Sequence, residues 1–368
     1  MNVKLLDLQG QYLPLRNEIR RAIDEVCDQQ ALILGPHVER FEKKLAAYCQ
    51  TKHAIGVSSG TDALLCSLMG IGIQPGDEVI CPSFTFFATA GSIARLGAIP
   101  VFAEINPTTF NLDPSRIAEK ITPKTKAIML VHLFGQTADM TAINEIAAKH
   151  NLLVIEDAAQ AIGAKHHGKS ACSLGFAGCL SFYPTKNLGT IGEGGMVLTS
   201  DARVARQVHS LRDHGQAARH EHVLPGYNYR MPELQAAALR VLAPHLDAWN
   251  AARRAAAGWY AEGLAGLPVG IPEAADADSH VYHLYVIRAP ERDALQAALT
   301  AAGIQTAIHY PTPIHLQPAY REFADGPGSL PNTEAAVAEI LSLPFHPNIR
   351  RDEVDAVCDA VRRFYGNA

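Results

Sequence analysis

Long apolar runs, basic clusters, paired-cysteine motifs and low-complexity tracts are all missing from this chain of 368 residues. No uninterrupted apolar stretch reaches the ~20 residues that a bilayer-spanning helix needs. The opening run Met1-Asn2-Val3-Lys4-Leu5-Leu6-Asp7 lacks the apolar core of a secretory signal. The formal charge is -5, and the arginine pairs Arg253-Arg254 and Arg350-Arg351 are isolated. Nothing therefore offers the clustered basic surface that nucleic-acid binding requires. Seven cysteines occur, at positions 27, 49, 66, 81, 172, 179 and 358, with no C-x-x-C pair among them. That spacing suits neither structural zinc nor an iron–sulfur cluster, so no metal is expected. Most of the cysteines lie in apolar runs, as small core residues do in a reducing compartment. The expectation is a soluble, cytoplasmic protein with no nucleic-acid or membrane partner.

What is present is the patterning of a globular enzyme. The chain is longer than a single core usually grows, which predicts two domains or one large and one small. Between about residue 13 and residue 245, helical patterns alternate with short β-rich runs. Leu15 to Ala47 reads as two helices around the Leu34-Gly35-Pro36 break. Strands are predicted at 53–57, 78–82, 100–104, 127–132, 152–156, 178–182 and 195–199. Several are continuously apolar, as strands covered on both faces are. Helices are predicted between them at 61–69, 88–96 and 140–149. This is the β-α-β rhythm of an α/β fold with a mostly parallel central sheet covered by helices. After Leu242 the composition shifts. Helices at 249–264, 292–302, 333–341 and 352–364, with a strand at 280–288, predict a smaller C-terminal α+β domain. The division expected is 1–245 and 246–368.

The most informative stretch is Ser181-Phe182-Tyr183-Pro184-Thr185-Lys186-Asn187-Leu188-Gly189-Thr190-Ile191-Gly192-Glu193-Gly194-Gly195. A lysine between a short apolar strand and a glycine-rich turn is badly placed for a surface charge. It is well placed to form an imine with an aldehyde cofactor. Asp157, in Ile155-Glu156-Asp157-Ala158-Ala159-Gln160, falls at the carboxyl end of a predicted parallel strand, where α/β proteins place ligands. A carboxylate there could keep a pyridine nitrogen protonated, although aspartate at such a junction is also a common helix cap. Gln160 lies one turn on. Val57-Ser58-Ser59-Gly60-Thr61-Asp62 runs a strand into a Ser/Gly turn that opens a helix, a ready site for phosphate. Ser181 adds a hydroxyl. In Ser83-Phe84-Thr85-Phe86-Phe87-Ala88-Thr89 one aromatic could stack on a ring, and the residues alone do not choose among the three.

These motifs, together with Gln11-Tyr12, Gly226-Tyr227-Asn228-Tyr229-Arg230-Met231 and His309-Tyr310-Pro311, make the chain resemble the DegT/DnrJ/StrS family over almost its whole length. Those are fold type I, pyridoxal 5′-phosphate (PLP)-dependent nucleotide-sugar aminotransferases. The resemblance implies that Lys186 is the PLP lysine and proton shuttle and that Asp157 is the pyridinium partner. Gln160 would contact the phenolic oxygen, with Gly60, Thr61 and Ser181 around the phosphate and Phe86 as the stacking aromatic. It further implies a homodimer with shared active sites, Asn228 reaching the phosphate of the neighbouring subunit. L-glutamate would donate the amino group to a keto-sugar nucleotide.

The run Gly303 to Gln317 is most similar to members that aminate C3 of dTDP-3-keto-6-deoxyhexoses, where Tyr183, His309 and Tyr310 correspond to residues around the hexose. Relatives acting on UDP-linked 3-keto sugars or on NDP-4-keto sugars share much of this pattern, and cyclitol aminotransferases share the chemistry. His-Tyr before Pro could also form only a rigid turn. Sugar dehydratases of the same lineage carry histidine in place of the lysine, which is present here. A non-catalytic regulatory protein of this fold would need a basic surface or an added domain, and neither is visible.

Overall fold

The computed structural model describes residues 2–366. Its centre is a seven-stranded sheet: β1 (His53–Val57), β2 (Glu78–Pro82), β3 (Ile99–Ala103), β4 (Thr125–Val131), β5 (Leu153–Asp157), β6 (Ala177–Ser181) and β7 (Gly195–Thr199). Their spatial order is β1-β7-β6-β5-β4-β2-β3. β3, β2, β4, β5 and β6 run parallel, while β7 is antiparallel to both β6 and β1. All five residues of β7 and four of the five in β1, β2, β5 and β6 are buried. That double coverage is why these strands read as unbroken apolar runs.

Helices cover both faces. On one side pack α1 (Arg16–Gln29), α2 (Pro36–Tyr48) and, much later in sequence, residues 233–242. On the other lie α3 (Gly60–Gly70), α4 (Ala88–Arg95) and residues 202–212. The predicted break between the first two helices is real. Gly35 is the extended N-cap of α2, and Pro36 occupies its first turn, where a missing N–H costs nothing.

Residues after 245 build a second, smaller layer. The helix Leu246–Gly263 and the C-terminal helix Arg351–Gly366 pack around a two-stranded antiparallel sheet, β8 (Tyr285–Arg288) and β9 (Ile340–Leu343). Two expectations are corrected here. The helix predicted over 333–341 spans Pro331–Glu339, and Ile340–Leu341 open β9 instead, because pairing with β8 buries all four residues of that strand. The strand predicted from His280 begins only at Tyr285. The residues before it spend their backbone donors on the large layer, Val281 N–H on the Gly135 carbonyl and His283 N–H on that of Phe134. The N-terminus also crosses over: Val3 bridges Ile304, and Phe345 N–H donates to the Leu5 carbonyl. Apolar clusters join the two layers: Phe84, Phe110 and Phe134 meet Leu284, Val286 and Ile340, and Ile314, Tyr320 and Leu330 pack into the core beside α3 and α4.

Candidate active site

Lys186 lies in the connection between β6 and β7. Phe182 anchors that connection in the core, edge-to-face on Phe41 at 5.3 Å. Its backbone closes the loop through Phe182 N–H to the Gly194 carbonyl and Thr190 N–H to the Phe182 carbonyl, both 2.8 Å. Within it, Lys186 N–H donates to the Tyr183 carbonyl at 2.9 Å, closing a tight turn. Burial lowers the amine from its ordinary 10.5 to about 8, against the opposing charge of Asp157. An amine of that kind is neutral far more often near pH 7 than a surface lysine and is correspondingly nucleophilic.

Asp157 is the last residue of β5, paired with Val131 on one side and Cys179 on the other, so it stands at the carboxyl edge of the sheet's centre. Its carboxylate accepts from Thr89 Oγ1 at 2.8 Å and from Ala159 N–H at 3.2 Å. No helix begins there, and the bond to Ala159 closes an Asx turn. Burial raises its pKa, opposed by those two hydrogen bonds and by Lys186 and His132.

The start of α3 meets the ends of β6 and β7. Ser59 caps the helix, its hydroxyl accepting from Asp62 N–H, which leaves the N–H groups of Gly60 and Thr61 without partners among the described residues. A Cβ added to Gly60 would sit 2.7 Å from the Ser181 Cβ, and one on Gly195 would run into the Ser59 carbonyl. Glycine is required at both positions because these backbones touch. Gly60, Thr61 and Ser181 are therefore gathered at one helix N-terminus, with two free donors for an anion.

Of the three phenylalanines one is core and two are exposed, Phe87 at 47% and packed on Tyr320. Phe84 is 1% exposed and packs edge-to-face on Phe110 and Phe134 in the core, whereas Phe86 is 57% exposed. Phe86 lies 5.8 Å from the ring of Tyr310. Gln160 accepts from Phe134 N–H at 2.7 Å and donates through Nε2 to the Tyr310 hydroxyl at 3.2 Å, keeping a second N–H in reserve. Burial pushes the Tyr310 phenol up, and the Asp157 charge adds to it. His309 donates to or accepts from Ser342 Oγ at 2.8 Å through Nδ1, and burial with the Lys186 charge lowers it. Tyr183 is exposed beside the lysine. Asn228 is exposed, in a segment bridged to Asp213, and its side chain has no hydrogen-bond partner among the described residues. Arg230 is ion-paired with Asp213.

Several supporting residues carry no sequence signal. The Asn187 carboxamide donates to Asn250 Oδ1 at 2.9 Å and to the Val281 carbonyl at 3.1 Å. With its donors spent, Asn187 Oδ1 accepts from His283 Nδ1 at 3.1 Å. Arg253, buried without a carboxylate, donates to the carbonyls of Tyr282 and His283. This network ties the lysine turn to the smaller layer. No local motif marks it, since its members come from three separate segments. Only Asn187, beside the lysine, was within reach of a sequence reading.

No helix among the described residues is long and apolar enough to cross a membrane, and no cluster of metal-ligating side chains occurs among them. The chain is 49% identical, over 99% of both chains, to a pleiotropic regulatory protein of Geobacillus stearothermophilus. It is 45% identical to dTDP-3-amino-3,4,6-trideoxy-alpha-D-glucose transaminase of Streptomyces venezuelae, over 98% of this chain and 96% of the relative. The crystal structure of S. venezuelae DesV superposes with a TM-score of 0.97 at 45% identity, covering 99% of this chain and 98% of that one. The family pattern itself spans residues 14–362, and the lysine, carboxylate and anion cradle described above lie within it: the chain belongs to the DegT/DnrJ/EryC1/StrS aminotransferase family.

Proposed function

We propose that this protein transfers an amino group from L-glutamate to a keto-sugar nucleotide, at C3 of a dTDP-3-keto-6-deoxyhexose, giving the 3-amino-3,6-dideoxyhexose. The observation that carries the reading is the grouping of Lys186, in the loop after β6, with a buried carboxylate at the sheet's carboxyl edge and an open helix N-terminus packed on Ser181. The cofactor is PLP. The residues fit it: an amine for the aldehyde, a carboxylate for the ring nitrogen, and two unpartnered N–H groups with a hydroxyl for the phosphate. When bound, PLP supplies an electron sink for the pair left behind when a proton leaves carbon.

The chain's own groups supply the rest. Lys186 Nζ takes the proton from the donor's α-carbon and later delivers one to the sugar carbon that receives nitrogen. Its low pKa suits both directions near neutrality. Asp157, as a carboxylate, would hold the ring nitrogen protonated, while Gln160 would use its spare N–H on the phenolic oxygen. Gly60, Thr61 and Ser181 would hold the phosphate, and Phe86 would cover the ring. Tyr183, His309 and Tyr310 would face the hexose. Asn228, exposed on its own protomer, supports a homodimer in which it completes the partner's phosphate site. The chain is read as a large PLP-binding domain, 1–245, with a small domain, 246–368, acting in the cytoplasm.

Turnover of a panel of 3-keto and 4-keto sugars, each as dTDP and UDP derivatives, with glutamate as donor tests this. Reaction of the dTDP-3-keto sugar above the others supports the reading, and reaction of 4-keto sugars alone overturns the C3 assignment. A purified protein with no visible absorbance band, or a band that glutamate leaves unmoved, would overturn the aminotransferase reading and leave a regulatory role.

A further inference from the structure

Thr89 sits in the first turn of α4, three residues after Phe86, and is completely buried. Its hydroxyl has one proton, and Asp157 Oδ2 at 2.8 Å can only accept when ionised, so Thr89 donates to it. Thr85 Oγ1, buried in the preceding loop, lies 3.3 Å from Thr89 Oγ1. With the Thr89 proton committed, Thr85 is the donor in that weaker contact. Two hydroxyls therefore form a short chain, Thr85 to Thr89 to Asp157, each polarising the next. Oδ1 of the same carboxylate is turned by Ala159 N–H. The two bonds fix the plane of the carboxylate and leave it a free acceptor direction.

We propose that Thr89 is a positioning residue for the reaction: its hydroxyl holds Asp157 ionised and oriented toward the ring nitrogen of the cofactor. Other groups act on Asp157 as well. Lys186 and His132 oppose the effect of burial, and the Tyr310 phenol and the thiols of Cys172 and Cys179 share its surroundings. His132 accepts from Ala138 N–H at Nδ1 and so donates from Nε2 to Glu156, which spends its imidazole elsewhere. That leaves the Thr89 hydroxyl as the neutral side-chain donor on Asp157 among the described residues. Because α4 follows directly on the loop bearing Phe86, one short segment both covers the ring and sets the charge on its nitrogen.

The inference rests on the PLP reading, and its test separates the two. Thr89→Val replaces the hydroxyl with a methyl of similar size. In the PLP-loaded enzyme it should move the pH midpoint of the visible absorbance upward by about one unit, because a less anionic Asp157 leaves the ring nitrogen less charged. The PLP dissociation constant should rise about tenfold, the usual consequence of losing a hydrogen bond to a charged group. Thr89→Ser should restore both. If valine prevents folding, Thr89→Ala removes the same hydroxyl without crowding and should give the same two shifts. A midpoint and a dissociation constant unchanged in the folded variant would overturn the role of Thr89. Wild-type protein that takes up no PLP would overturn the cofactor reading instead.

Discussion

Two carboxylates adjacent in sequence, Glu156 and Asp157, point to opposite faces at the end of β5 and live in opposite environments. Glu156 is fully buried and saturated. It accepts from the N–H groups of Cys172, Leu174 and Gly175 at 2.6–2.8 Å and from His132 Nε2 at 2.9 Å. Nothing remains for a ligand, and its work is to fasten the 172–175 loop and the β4 end to the strand. Among the described residues the Asp157 carboxylate accepts from Thr89 and Ala159 alone, and an amine of lowered pKa feels its charge. A carboxylate whose lone pairs are all taken stabilises a fold, whereas one left partly open can act on a substrate or cofactor.

The most forceful attack on that contrast is Lys186→Ala. Turnover should fall by at least ~10³-fold, since the proton shuttle is removed outright, while PLP should still bind but be lost on gel filtration. Retained turnover would refute the role given to the lysine. The pair Asp157→Asn and Glu156→Gln tests the contrast directly. The first should cost turnover about 10²-fold or more with little change in thermal unfolding. The second should lower stability by roughly 3 kcal/mol in urea unfolding and leave kcat nearly intact, because it sets an amide against three backbone donors. If Glu156→Gln lost activity at full stability, the division of labour would be wrong.

A similar split should appear between two neighbouring phenylalanines. Phe84→Ala should cost about 3–5 kcal/mol of stability through the cavity it opens. Phe86→Ala should leave the melting temperature nearly unchanged and weaken PLP binding by about tenfold, the value of one aromatic stacking contact. Comparable destabilisation from both would mean that Phe86 is simply core. The smallest effect expected is on pH dependence. Burial disfavours the Lys186 ammonium, so the apo-protein's neutral amine becomes available as pH rises through about 8 rather than 10.5. The rate at which apo-protein captures PLP should fall about tenfold per pH unit below 8 and level off above it. A midpoint near 10 would show that the amine is not buried in solution.

Legibility in the sequence followed locality. The strands of the large sheet were predicted within two residues of where they lie, since doubly covered strands announce themselves as apolar runs bounded by turns. β9 was misread as the end of a helix. Ile340 and Leu341 follow an alanine-rich helical stretch, and only β8, far away in sequence, makes them a strand. The lysine and aspartate were legible because each sits beside a strand end in a recognisable motif. Thr89, His132 and His283 were not, because the side chains that give them their roles, Asp157, Glu156 and Asn187, lie 24 to 96 residues away.

The sequence by itself determined the fold class, the parallel sheet and the residues able to carry the chemistry, since periodicity, turn residues and motif spacing are local properties. Tertiary structure alone decided which groups are chemically available. It saturated Glu156 and left Asp157 open, buried Phe84 and exposed Phe86, and lowered the amine of Lys186. Burial and hydrogen-bond partners arise from contacts between distant segments, and those exist only once the chain has folded.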